Sequence, residues 1–161
     1  MIKPIILPNR VAMDSSVLIS ALDGSMLKVR DMLAKQVFEQ IIEKGCTLCI
    51  ATPALAECLL GGHECLLGLP RVELIEFDAK SSRVMVNLLG HRCANLPEGS
   101  NRKIAKFDAM IAAAYLVRGR VGAFITGDNP QSEMARKIGL NTISLQEVLK
   151  AEDPQLVLEG V

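Results

Sequence analysis

The chain has 161 residues with 18 basic and 18 acidic side chains, so its formal net charge is zero, and half of its residues are apolar with no Trp. That length suits one domain with a sizeable aliphatic core, and zero net charge gives no whole-chain support for nucleic-acid binding, so any basic surface has to be local. No apolar run approaches the ~18 residues that span a bilayer, and the start lacks a signal-peptide pattern, which leads us to expect a soluble cytoplasmic protein with reduced thiols.

Ile2 to Ile6 is apolar but interrupted by Pro4 and Pro8, as in an edge segment or an arm. Arg10 to Met13 reads as the first buried strand, followed at once by Asp14-Ser15-Ser16 and a short helix over Val17 to Leu22 that Asp23-Gly24-Ser25 ends. From Met26 to Lys44, Leu27, Leu33, Val37, Phe38, Ile41 and Ile42 form a helical stripe, which serves either as core or as a docking surface, and Gly45 stops the helix. Thr47 to Ala51 is a second buried strand. Thr52 as N-cap and Pro53 at the first helical position then start a helix through Leu60, ended by Gly61-Gly62.

Val72 to Phe77 reads as a third strand, with Asp78 capping a helix from Ala79 to about Leu96. Pro97 to Asn101 is a loop before the helix that carries Asp108. Gly122 to Thr126 is a fourth strand, Asn129-Pro130 opens a helix ending near Gly139, and Leu140 to Ile143 is a fifth strand. Ser144-Leu145-Gln146-Glu147 has the spacing of a capping box for a helix to about Lys150. Strands alternating with helices predict a parallel α/β sheet between helical layers, one domain over residues 1–150 with a tail over 151–161.

Cys46-Thr47-Leu48-Cys49 has CxxC spacing, yet strand alternation sends the two sulfurs to opposite faces and no second ligand pair follows, so neither zinc nor redox chemistry is expected there. Cys58, Cys65 and Cys93 read as small core residues, and His63 and His91 are isolated.

The acids carry more information. Ile104, Phe107, Ile111 and Tyr115 share one helical face, and Asp108 lies in the same stripe, so a carboxylate is turned inward where it needs a partner. Asp14, Asp128 and Glu57 each lie where a strand gives way to a helix or one turn beyond, positions that a parallel sheet gathers at the carboxyl edge of its strands. Asp14, Asp108 and Asp128, taken singly, also suit helix N-caps. Glu57 does not, since it falls inside its helix beside Leu55, Cys58 and Leu59. Four clustered carboxylates favour a hard divalent cation, Mg²⁺ or Mn²⁺, and such metals serve phosphate chemistry.

From Val11 to about Leu149 the chain resembles the PIN-domain family of metal-dependent ribonucleases, and within it the toxin subunits of bacterial toxin–antitoxin pairs. The resemblance rests on Met13-Asp14-Ser15-Ser16-Val17-Leu18-Ile19, Thr52-Pro53-Ala54-Leu55-Ala56-Glu57-Cys58-Leu59, Asp108-Ala109-Met110-Ile111-Ala112-Ala113-Ala114 and Thr126-Gly127-Asp128-Asn129, in that order. It implies a PIN-like α/β/α sandwich and a metal site of Asp14, Glu57, Asp108 and Asp128, with Ser16 and Thr126 supporting the carboxylates. It further implies endonucleolytic cleavage of RNA to 5′-phosphate and 3′-hydroxyl ends, a homodimer and an antitoxin partner. Arg102, Lys103 and Lys106 precede Asp108 and could steer the RNA backbone or simply form a solvated helix end. The chain departs from the pattern at Ser15-Ser16, where relatives usually have Thr and Asn, and at Asn129-Pro130-Gln131, where many carry a second acid and a Phe. Two other readings remain: a PIN-type fold used for association with little catalysis, and a Mg²⁺-dependent phosphatase, which would need a second Asp two residues after Asp14.

Overall fold

The computed structural model describes residues 5–23, 28–93 and 102–152. Five parallel strands form one sheet in the order β3-β2-β1-β4-β5, with β1 over Arg10–Met13, β2 over Thr47–Ala51, β3 over Val72–Ile75, β4 over Ala123–Thr126 and β5 over Thr142–Ser144. The helices are α1 (Ser15–Leu22), α2 (Val29–Glu43), α3 (Thr52–Leu60), α4 (Ala79–Cys93), α5 (Arg102–Ala114), α6 (Asn129–Lys137) and α7 (Leu145–Glu152). The strand order doubles back at β1. Right-handed crossovers therefore require the helices after β1 and β2 on one face and those after β3 and β4 on the other, the α/β/α arrangement expected.

β1, β2 and β4 are buried nearly throughout, which is why they are short apolar runs rather than alternating ones. The stripe of α2 is core: Leu33, Ala34, Val37, Phe38 and Ile41 are buried against α1 and the sheet, so it offers no docking surface, while Met26 and Leu27 lie outside the described residues. Gly45 stops α2 at φ +66°, a backbone conformation that costs a residue without a β carbon little. Residues 5–8 form an arm rather than a strand, with the Ile5 N–H donating to Gln40 Oε1 and Lys44 reaching the Ile5 carbonyl.

Several local expectations give way to tertiary partners. Thr52 is not the N-cap of α3; Ala51 holds that position, and the Thr52 hydroxyl accepts from the Phe77 N–H at 3.2 Å, tying α3 to the end of β3. The capping box at Ser144 does not form, because Arg136 takes the Glu147 carboxylate as a charge-assisted fork and the Ser144 hydroxyl stays buried without a partner. Ser144 instead ends β5, one residue beyond the expected strand. Cys65 is exposed, not core, on a short 3₁₀ turn after α3; Cys46, Cys49 and Cys58 are buried free thiols. Phe107 lies at the margin of the α5 stripe and is 39% exposed, while Ala105, Asp108, Ala109, Ile111, Ala112 and Tyr115 form its inward face. Residues 94–101, the expected loop included, and the tail beyond Glu152 lie outside the described residues, as do the side chains of Cys93, His91 and Ile104.

Candidate active site at the carboxyl edge

Because the strand order reverses at β1, the carboxyl ends of β1 and β4 flank a crevice where an open parallel sheet binds ligands. Asp14 leaves β1 at that point and is 2% exposed. Its carboxylate is held on both oxygens: Oδ1 accepts the Ser16 N–H at 3.0 Å, which caps α1, and Oδ2 accepts the Ser16 and Thr126 hydroxyls, each at 3.0 Å. Thr126, fully buried at the end of β4, also accepts the Asp128 N–H at 3.1 Å, so one hydroxyl joins the two strand ends. The hydroxyls of Ser16 and Thr126 thus both donate to the first acid.

Glu57 meets Asp14 through Ser15. The Ser15 hydroxyl donates to Glu57 Oε2, 42 positions away in the chain, and lies 3.3 Å from Asp14 Oδ1, so a single proton stands between a carboxylate that follows β1 and one carried on α3. Cys58 registers the convergence: burial, and then the charges of Glu57 and Asp14, push its thiol up to about 12.

Asp108 is 8% exposed in the middle of α5, where it cannot be an N-cap. The position of α5 is set by Tyr115. Its buried hydroxyl accepts the Ala51 N–H at 3.0 Å and donates to the Met13 carbonyl at 2.8 Å, taking up both groups where the pairing of β1 with β2 stops. A π-helical turn over Tyr115–Gly119 then carries the chain down to the amino edge, where Arg10 bonds the Gly119 carbonyl. Asp108 is two turns before Tyr115, so it stands roughly 10 Å further along the helix, at the carboxyl edge and beside α3. The buried alanines at 109, 112, 113 and 114 permit that close packing.

Asp128 occupies the N-cap position of α6 with φ −106° and ψ 121°, yet makes no side-chain capping bond. The capping explanation accounts for Asp14 alone. Each of the four acids thus lies toward the carboxyl edge, with Asp14 and Glu57 joined through Ser15, but among the described residues no three His, Cys, Asp or Glu side chains surround a common point as metal ligands. The donors, carboxylates and hydroxyls only, suit Mg²⁺ or Mn²⁺ in kind. Lys106 is exposed on α5; the side chains of Arg102 and Lys103 lie outside the described residues.

Two participants were not anticipated. Gln131, in the first turn of α6, is 1% exposed; its Oε1 lies 3.1 Å from the Thr126 hydroxyl and its Nε2 is buried without a partner. Arg30, at the start of α2, donates to the Ser16 hydroxyl at 2.9 Å. The helical spacing that puts Gln131 on the same side of α6 as Met134 and Ala135 was the signal for it; nothing local distinguishes Arg30 from a surface cation. A separate open cleft lined by Arg10, Glu73, Val117, Arg118 and Arg120 lies at the turn after α5, away from the acids.

No family model and no curated protein matches this chain. Solved structures do. VapBC2 from Rickettsia felis bound to a DNA fragment from its promoter matches with a TM-score of 0.53 and 16% identity over 83% of this chain and 97% of that one. FitAB bound to an IR36 DNA fragment gives 0.55 and 16% over 84% and 94%, and DNA-bound VapBC from Salmonella typhimurium gives 0.52 and 13% over 86% and 99%. At such identities the likeness is one of fold: the chain has the PIN-type α/β fold found in these toxin–antitoxin complexes.

Proposed function

We propose that the chain is a Mg²⁺- or Mn²⁺-dependent endoribonuclease of the toxin type, which pairs with itself and with an antitoxin protein. The observation that supports this reading most is the carboxyl-edge network in which Ser15 bridges Asp14 and Glu57 while Thr126 ties Asp14 to the start of the Asp128 turn. Asp14, Glu57, Asp108 and Asp128 would hold the metal, which would supply activation of a water and neutralisation of charge on the scissile phosphate. Ser16 and Thr126 orient Asp14, Tyr115 keeps Asp108 at the edge, and the buried strand ends limit water around Asp14. Placement on the fold of VapBC and FitAB supports an antitoxin partner.

A second reading, a PIN-type fold used for association with weak or no catalysis, draws on the capping role of Asp14 and on the absence of a ready metal-holding trio among the described residues. Calorimetric titration of Mn²⁺ into the wild type and Asp108→Asn separates the two. The nuclease reading requires binding that the substitution abolishes and Mn²⁺-dependent RNA cleavage lost with it; a chain that neither binds Mn²⁺ nor cleaves RNA belongs to the second.

A further inference from the structure

A cation stands beside the acids, and it comes from α2. Arg30 Nη2 donates to the Ser16 hydroxyl at 2.9 Å, the same hydroxyl that donates to Asp14 at 3.0 Å. Its guanidinium lies over Gly127: a β carbon there would be 2.7 Å from Nη2, 2.8 Å from Nε and 2.9 Å from Cζ, so the group packs flat where any other residue would have a side chain. Gly127 stands between Thr126, which orients Asp14, and Asp128. Arg30 is therefore held at the crevice by a hydroxyl on one side and by a bare backbone on the other.

The choice of partner is informative. Among the described residues Arg30 bonds a hydroxyl rather than a carboxylate, although acids lie close by, and its buried Nε has no partner. A guanidinium offers five N–H donors in a planar fork that matches a phosphate, and Ser16 uses one of them. A cation present only to neutralise the acids would pair with one directly.

We propose that Arg30 is a substrate-binding residue that grips a phosphate of single-stranded RNA next to the acidic cluster, oriented for it by Ser16 and by the missing side chain of Gly127. This rests on the nuclease reading and names a contact that seats the RNA backbone. Gly127 does not have a positive φ, so alanine there is opposed by Arg30 rather than by the backbone.

The test measures binding of fluorescently labelled, mixed-sequence single-stranded RNA in EDTA, which prevents cleavage, to the wild type, Arg30→Gln, Arg30→Lys, Gly127→Ala and the Arg30→Gln/Gly127→Ala double variant. Arg30→Gln should weaken binding about tenfold and lower the salt slope by roughly 0.7, the share of one single-strand phosphate. Arg30→Lys should restore part of the affinity. Gly127→Ala should weaken binding in the wild type and add nothing once Arg30 is gone. RNA bound equally by wild type and Arg30→Gln, no binding by the wild type, or full additivity of the two substitutions overturns the proposal. Mn²⁺-dependent cleavage is assayed separately: a wild type that binds RNA through Arg30 but never cleaves it refutes the nuclease reading and leaves the phosphate contact standing.

Discussion

The Tyr115 hydroxyl lies 2.8 Å from the Met13 carbonyl, a contact between residues 102 positions apart that docks α5 against the end of β1. Burial holds this phenol above its usual range, against the opposing pull of the Ala51 N–H. It stays protonated, donating to Met13 while accepting from Ala51. Tyr115→Phe removes both bonds and leaves a buried N–H and C=O unmatched, which should destabilise the fold by about 1–3 kcal/mol in urea denaturation. Because Asp108 rides on the same helix, Mn²⁺ affinity should fall as well; unchanged affinity in a destabilised variant would separate the anchor from the site.

Thr126→Val keeps the shape of the side chain and removes the hydroxyl that bonds Asp14 and receives the Asp128 N–H. Groups that orient metal-binding carboxylates are typically worth about 10–100-fold in affinity. Calorimetry with Mn²⁺ should show a loss of that size, with the secondary structure intact by circular dichroism. An affinity equal to the wild type would mean that Thr126 serves β4 and not the acids.

Asp14 and Asp128 should differ in what they contribute to stability. Asp14→Ala removes a working N-cap from α1 and should cost about 1 kcal/mol through capping. Asp128→Ala removes no capping bond, so that cost is absent, although both substitutions should abolish Mn²⁺ binding. Denaturant midpoints and calorimetry on the same preparations check the two effects independently.

Asp78 gives the fold an acid-sensitive joint. The Ser81 N–H first, then Arg118 and the Ser81 hydroxyl, hold its carboxyl well below the usual carboxylate range. Protonation in the unfolded chain occurs near pH ~4. The contribution to stability is therefore present above that pH and is lost as pH falls through the folded-state value. Asp78→Asn should flatten the stability curve in the acid range and lower stability at neutral pH; coincident curves for both proteins would show that the Arg118 pair is fully screened.

Thiol reactivity should follow burial. Cys65 is exposed, whereas Cys58 is buried with its thiol pushed up to about 12, so at pH ~8 an alkylating reagent should modify Cys65 and spare Cys58 in the native protein. Peptide mapping by mass spectrometry reads both sites, and rapid labelling of Cys58 would indicate local opening of α3.

Much of the site was legible locally. Short apolar runs each followed by an acid fixed β1, β2 and β4 and placed Asp14, Glu57 and Asp128 beyond them, since fully buried parallel strands must be continuously apolar and their carboxyl ends share one edge. An acid within the inward stripe of α5 likewise marked Asp108, because helical periodicity alone decides which residues share a face. Those are short-range constraints, carried by each segment on its own.

Tertiary structure decided which polar group meets which. Thr52 and Ser144 had the local form of caps, yet one hydroxyl was drawn to the Phe77 N–H and the other was left as Arg136 claimed Glu147, because stronger or better-placed partners arrived from distant segments. The same holds for the carboxyl edge. That Ser15 would join Asp14 to Glu57, that Tyr115 would hold α5, and that Arg30 would lie on Gly127 depend on contacts between elements 14 to 102 residues apart, which no periodicity encodes. The sequence by itself determined the strands, the helix faces and the positions of the acids; only packing set the hydrogen bonds that join Asp14 to Glu57 through Ser15 and to the Asp128 turn through Thr126.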